Sequence, residues 1–143
     1  MKITGLKIFK NKVIKNSKGD ILKFISKKDV FFNKFGEIYF SEIKKNKTKG
    51  WNFHKENTCL LSVPYGNVKF SFIDGRKKSK TYYKKVTIKL NKKNYKIISV
   101  PPKIWFSFHS LSRLSLIANF IERPHSDNET LKSKKIKNII IPD

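Results

Sequence analysis

Lys49-Gly50-Trp51-Asn52-Phe53-His54-Lys55-Glu56, continuing through Thr58-Cys59-Leu60-Leu61-Ser62-Val63 to Gly66, decides the fold of this 143-residue chain. Successive side chains of an extended backbone leave opposite faces, so alternation of apolar and polar residues marks a half-buried β-strand. Trp51 and Phe53 then face one way, and Gly50, Asn52 and His54 the other. A second strand is predicted from Cys59 to Val63, with Pro64-Tyr65-Gly66 breaking it before a third begins at Asn67. The first strand therefore places an amide and an imidazole side by side on one inward face.

Working outward, the same pattern recurs almost everywhere. Leu6–Phe9, Lys12–Ile14, Ile21–Ile25 and Glu37–Ile43 read as strands before the central pair, with a turn at Asn16–Asp20 and an aromatic loop at Asp29–Phe35 that has room for one helical turn. Val68–Ile73, Val86–Leu90, Ile97–Val100, Ile104–Phe108 and Leu114–Ile121 follow. Short strands at regular spacing, punctuated by Gly, Pro and Asn, describe a sandwich or barrel whose apolar faces close over each other. A single all-β jelly-roll domain is expected over 1–143, with N-terminal strands in 5–43, central strands in 48–121 and a C-terminal tail at 122–143.

Composition narrows the function classes. The single cysteine, Cys59, lies in an apolar run and reads as a buried, inert thiol; no internal disulfide can form. No stretch reaches the roughly 20 apolar residues of a membrane helix, and no signal-peptide pattern opens the chain, so a cytoplasmic protein without membrane association is expected. The net charge of +23 would ordinarily point to nucleic acid. Yet the only arginines are Arg76, Arg113 and Arg123, and the lysines are scattered rather than massed. Phosphate and base readers favour the bidentate arginine fork, so a solvated, anion-steering surface is the better reading and nucleic acid is not the expected partner.

Six motifs in order, Lys18-Gly19-Asp20, Glu37–Ser41, Lys49–His54, Tyr65-Gly66 with Asp74-Gly75-Arg76, Val100-Pro101-Pro102 and Trp105–Phe108, resemble the dTDP-4-dehydrorhamnose 3,5-epimerase family of cupins over about Gly5 to Glu129. The resemblance implies a β-barrel cupin, a homodimer, and a nucleotide-linked 4-keto sugar as ligand in surface-polysaccharide synthesis. Epimerising a carbon beside a ketone needs a base for the α-proton, a donor or cation for the enolate oxygen, and an acid on the opposite face. The family implies a His–Asp dyad, a lysine and a tyrosine for these tasks. Here its Arg-Gly-Leu-His pattern falls on Lys49-Gly50-Trp51-Asn52, its lysine on Cys59, and its tyrosine and aspartate on Ile117 and Ile121.

His54 is the candidate base, about 7 Å along the strand from Asn52 and on the same face; the alternative is a structural imidazole satisfied by a backbone carbonyl. The Gly-x-x-x-His-Lys spacing also resembles sugar 3,4-ketoisomerases, whose Gly-x-His-x-His-Lys pattern is met here at its second His and its lysine. His109 and His125 are expected in loops. For binding, Lys18 and Arg76 are candidates to neutralise a pyrophosphate, Asn119 points inward by parity with Ile117 and Ile121, and Trp105 and Tyr39 are candidates to stack on a base or sugar. Cupin metals need three or four ligands; Asn52 and Phe106 occupy ligand places, leaving His54 and Glu56, so neither a metal nor another cofactor is expected. Three readings remain: an epimerase or isomerase using His54, a silent cupin that binds a nucleotide sugar or a partner enzyme, and a charge-driven nucleic-acid binder.

Overall fold

The structure, a computed structural model, describes residues 2–134. Twelve strands run β1 (Lys7–Lys10), β2 (Val13–Ile14), β3 (Ile21–Leu22), β4 (Glu37–Lys44), β5 (Thr48–His54), β6 (Cys59–Tyr65), β7 (Asn67–Asp74), β8 (Lys85–Asn91), β9 (Lys96–Val100), β10 (Ile104–Ser110), β11 (Leu114–Ile121) and β12 (Thr130–Lys132). They form two five-stranded antiparallel sheets, ordered β1-β9-β6-β11-β4 and β12-β5-β10-β7-β8, and a small β2-β3 hairpin. This interleaved order is the jelly roll the alternation predicts. Asp29–Phe35 contains turns, closed by Asp29 N–H to Ser26 and Phe32 N–H to Asp29, and no helix occurs among the described residues.

The core lies between the sheets. Leu61, Val63, Phe70, Phe72, Ile98, Phe106, Ile117 and Ile121 belong to one buried cluster, drawn from the inward positions of both layers. The outer face of the first sheet is covered in part by the N-terminal loops, whose Phe24, Phe31 and Phe32 pack on Leu60, Ile97 and Phe120. On the outer face of the second sheet Trp51, Phe53, Ile73 and Trp105 make a separate aromatic cluster. Pro64 lies within β6, not after it, beside a register shift opposite Leu116–Ala118, where a missing N–H leaves the ladder intact.

A second register shift sets the geometry of the central strand. In the β5–β10 ladder Phe53 opposes Trp105 and Asn52 opposes Phe106, but Gly50 opposes Ser107, so Trp51 is an extra residue. Parity reverses there. Lys49 opposes Phe108 on the inner face, whereas Gly50, expected to share the inward face with Asn52 and His54, opposes Ser107. Gly50 adopts φ +108°, and a Cβ on it would meet the Phe106 carbonyl at 2.8 Å and Ser107 Cα at 2.9 Å, so only glycine fits this bulge.

At the end of β7 Asp74, fully buried, accepts from Arg76, Ser79 and Thr81, and Arg76 reaches on to the carbonyl of Thr4. The network staples the N-terminal segment to the β7–β8 connection.

Candidate active site

Where β4 ends one sheet and β5 and β12 end the other, the two layers part around a cavity of about 860 Å3. Glu37, Tyr39 and Ser41 of β4 and Asn119 of β11 form one wall; Lys49, Asn52 and His54 of β5 with Phe106 and Phe108 of β10 form the other. Thr130, Lys132, Ser133 and Lys134 close a side, and His125 stands at the edge.

His54 is the chemical centre. Its ring is nearly buried and lies 5.9 Å from that of Phe106, with the planes 19° apart. Nδ1 lies 2.7 Å from Glu129 Oε2. A carboxylate only accepts, so Nδ1 carries a hydrogen toward Glu129, and Nε2 has no protein partner among the described residues. The other Glu129 oxygen accepts the N–H groups of Asn57 at 2.7 Å and Glu56 at 3.1 Å, and Thr130 Oγ1 donates to Oε2 at 3.1 Å. Burial disfavours the Glu129 charge, but the His54 bond and the two amides outweigh it and hold the carboxyl below the usual carboxylate range. His54 is thus held by a carboxylate and not by the backbone carbonyl of the structural alternative.

Across the cavity Tyr39 is paired with Asn119 in the β4–β11 ladder. Desolvation at the wall, with the Cys59 thiol, Glu37 and Glu129 nearby, pushes the Tyr39 hydroxyl up to about 12, so it stays protonated and able to donate. Cys59 is buried under the same wall and burial drives its thiol upward, which leaves it inert as expected. Lys49 Nζ donates to Ser41 Oγ at 3.2 Å, a neutral partner that leaves its charge available to an anion.

Several expectations need correction. The tail at 122–143 is not a tail throughout, because β12 and Glu129 lie within it; its last nine residues, from 135, lie outside the described part. Ile117 and Ile121, on which the family's tyrosine and aspartate fall, are core residues, and the carboxylate beside His54 is that of Glu129. Trp105 packs in the outer cluster with Phe53, ring centroids 4.8 Å apart, and is turned away from the cavity because it occupies the opposite parity from Phe106. Lys18 sits in the exposed turn before β3, and Arg76 is committed to Asp74; neither lines the cavity. His109 is in β10, not a loop, and shares a 2.7 Å hydrogen bond with Thr48 on the outer face, whereas His125 does lie in a loop and pairs with Asp127. Glu56 turns outward to Arg123, and no three His, Cys, Asp or Glu side chains converge among the described residues.

Asn52, His54, Tyr39 and Asn119 are therefore brought together, with Lys49 and Glu129 added. Both additions escape parity reasoning. Lys49 is reversed by the bulge, for which the Gly50 between two lysine-rich and aromatic segments is the one available sign, and Glu129 is 75 residues from its partner.

The family described as dTDP-4-dehydrorhamnose 3,5-epimerase matches residues 1–135. A dTDP sugar isomerase from Desulfovibrio desulfuricans G20 is similar at 29% identity and TM-score 0.93, with 99% of this chain and 91% of that one covered. A dTDP-6-deoxy-D-glucose-3,5-epimerase from Legionella pneumophila Philadelphia 1, in complex with dTDP-4-keto-L-rhamnose, shares the fold at 20% identity and TM-score 0.85, covering 100% and 80%. A sugar 3,4-ketoisomerase from Thermoanaerobacterium thermosaccharolyticum, in complex with TDP, shares it at 17% and 0.75, covering 96% and 93%. No curated protein matches the chain.

Proposed function

Because this chain belongs to the dTDP-4-dehydrorhamnose 3,5-epimerase family, we propose that its cavity takes a dTDP-linked 4-keto-6-deoxy sugar and moves a proton on the carbon next to the ketone. The observation that carries the reading is the His54–Glu129 pair at 2.7 Å, set on one wall of the cavity with Tyr39 on the other.

The chemistry follows from the placement. His54 Nε2 takes the α-proton, and the electron pair left on carbon moves into the carbonyl to give an enolate. Glu129 stabilises the imidazolium that forms and keeps the ring in its tautomer. Asn52 and Asn119, both amides on cavity walls, supply donors for the enolate oxygen or a sugar hydroxyl. Tyr39 returns a proton to carbon from the opposite sheet, which inverts the centre. Lys49, Lys132 and Lys134 offer cations to the diphosphate. No step calls on a metal or another cofactor, so chelation leaves the rate unchanged.

The test is solvent exchange. With a dTDP-linked 4-keto-6-deoxy sugar in D2O, deuterium should enter at the α-carbon, and His54→Ala should lower that rate by about 10²-fold or more while nucleotide affinity holds. Exchange at the parent rate in the variant would remove His54 from the reaction. No exchange in the parent would leave the silent binding protein as the reading. The Gly-x-x-x-His-Lys spacing favours one further reading, 3,4-ketoisomerisation by the same pair, which product analysis separates from epimerisation.

For assembly we propose a homodimer in the cytoplasm, acting in surface-polysaccharide synthesis. Support for the dimer comes from β4, an edge strand among the described residues, whose outer face exposes Ile38 and Phe40 at 45% and 63% beside Glu42. On a chain of charge +23 this apolar strip is where two copies meet with least repulsion.

A further inference from the structure

The chain from Glu122 leaves β11, turns through His125 and returns along β5 as β12. This segment joins the second sheet along one edge only, beside β5. It has three register pairs (Thr130 with His54, Leu131 with Phe53, Lys132 with Asn52), paired bonds between Trp51 and Ser133, a bond from Lys55 N–H to the Glu129 carbonyl, and Leu131 packed on the outer aromatic cluster. A three-residue edge strand opens locally at far lower free energy than the strands of the core. Yet the same segment supplies the carboxylate of the dyad and one side of the cavity, through Thr130, Lys132, Ser133 and Lys134.

We propose that Glu129–Lys134 is a ligand-locked strap: an anionic ligand held by Lys132 and Lys134 fastens the segment to β5, and that fastening delivers Glu129 to His54. The proposal rests on the nucleotide-sugar reading above. Its physical basis is that a ligand touching the strap only in the docked state shifts the population toward that state by its differential affinity. Docking is close to all-or-none, because one Glu129 oxygen serves His54 while the other serves the Glu56 and Asn57 amides. If the carboxylate leaves, three donors lose their acceptor together. The base is thereby assembled when substrate is present, and by reciprocity anything that loosens the strap weakens the ligand.

Hydrogen exchange on the full chain tests this with dTDP as the probe, since the amides of Trp51, Lys55, Glu56 and Asn57 all donate to the strap. Saturating dTDP should slow these four together by about tenfold or more. Leu131→Ala, on the outer face and away from the cavity, should speed the same four together and weaken dTDP binding by about threefold or more. It should also diminish the proton NMR signal of His54 Nδ1–H, which a merely structural strap would not move. If calorimetry shows dTDP bound while the four amides exchange as before, the strap is a fixed wall and the coupling is overturned, with the nucleotide reading intact. If the four respond to Leu131→Ala at unrelated rates, the all-or-none docking is overturned. If dTDP does not bind, the nucleotide reading fails and takes this proposal with it.

Discussion

Tyr39 and Asn119 stand opposite each other in the β4–β11 ladder, both turned into the cavity from the sheet that faces His54. This separates a protonated hydroxyl from the imidazole by the width of the site. Removing only the acid should therefore uncouple the two halves of the reaction. Tyr39→Phe should retain α-deuterium wash-in within about tenfold of the parent but lower the yield of inverted product by about 10²-fold. Mass spectrometry reads the first and product NMR the second. Equal loss of both would assign Tyr39 to binding.

Asp74 makes stability pH-dependent in a stated window. Burial opposes its charge, but Arg76, Thr81 and Ser79 together bring its carboxyl down from 3.8 to about 2. A depressed folded value means the contribution is present above the unfolded value and is lost as pH falls from about 4 toward 2. Its size is about 2 kcal/mol. Denaturant melts across that range should show the decline, and Asp74→Asn should be less stable at pH 6 yet flatter below pH 4. A variant as steep as the parent would place the acid sensitivity elsewhere.

Gly50→Ala tests the bulge. The added methyl meets the Phe106 carbonyl at 2.8 Å in a backbone held at φ +108°, so a loss of about 1–3 kcal/mol is expected. Lys49 should lose its inward placement with it, and dTDP affinity should fall. Unchanged melting temperature and affinity would mean that the strand accepts either register.

Phe40→Lys puts a charge on the exposed β4 face. Light scattering at micromolar concentration should give a dimer for the parent and a monomer for the variant, with the cavity still able to bind dTDP. A parent that is monomeric, or a variant that remains dimeric, rules out this face.

Alternation around Trp51–His54 was enough to place Asn52 and His54 on one inward face, and ten of the strands were located within a residue or two, while the expected Ile21–Ile25 overshoots β3 by three. Inward placement of Asn119 followed from parity with Ile117 and Ile121. These are local properties, because a side chain's face in a strand depends on its neighbours along the chain. Trp105 was not decidable in this way: β10 is buried on both faces, so Ile104–Phe108 is apolar at every position but Ser107 and shows no alternation. The reversal at Lys49 required the partner strand, since a bulge is defined only by two residues opposing one. Glu129 required the whole sandwich. Nothing in Asn128-Glu129-Thr130 distinguishes it from a solvated turn, and it meets His54 only because β12 folds back along the edge of β5. Local periodicity thus determined the strands and the inward pair, while long-range strand pairing decided which carboxylate, which lysine and which aromatic ring reach that pair.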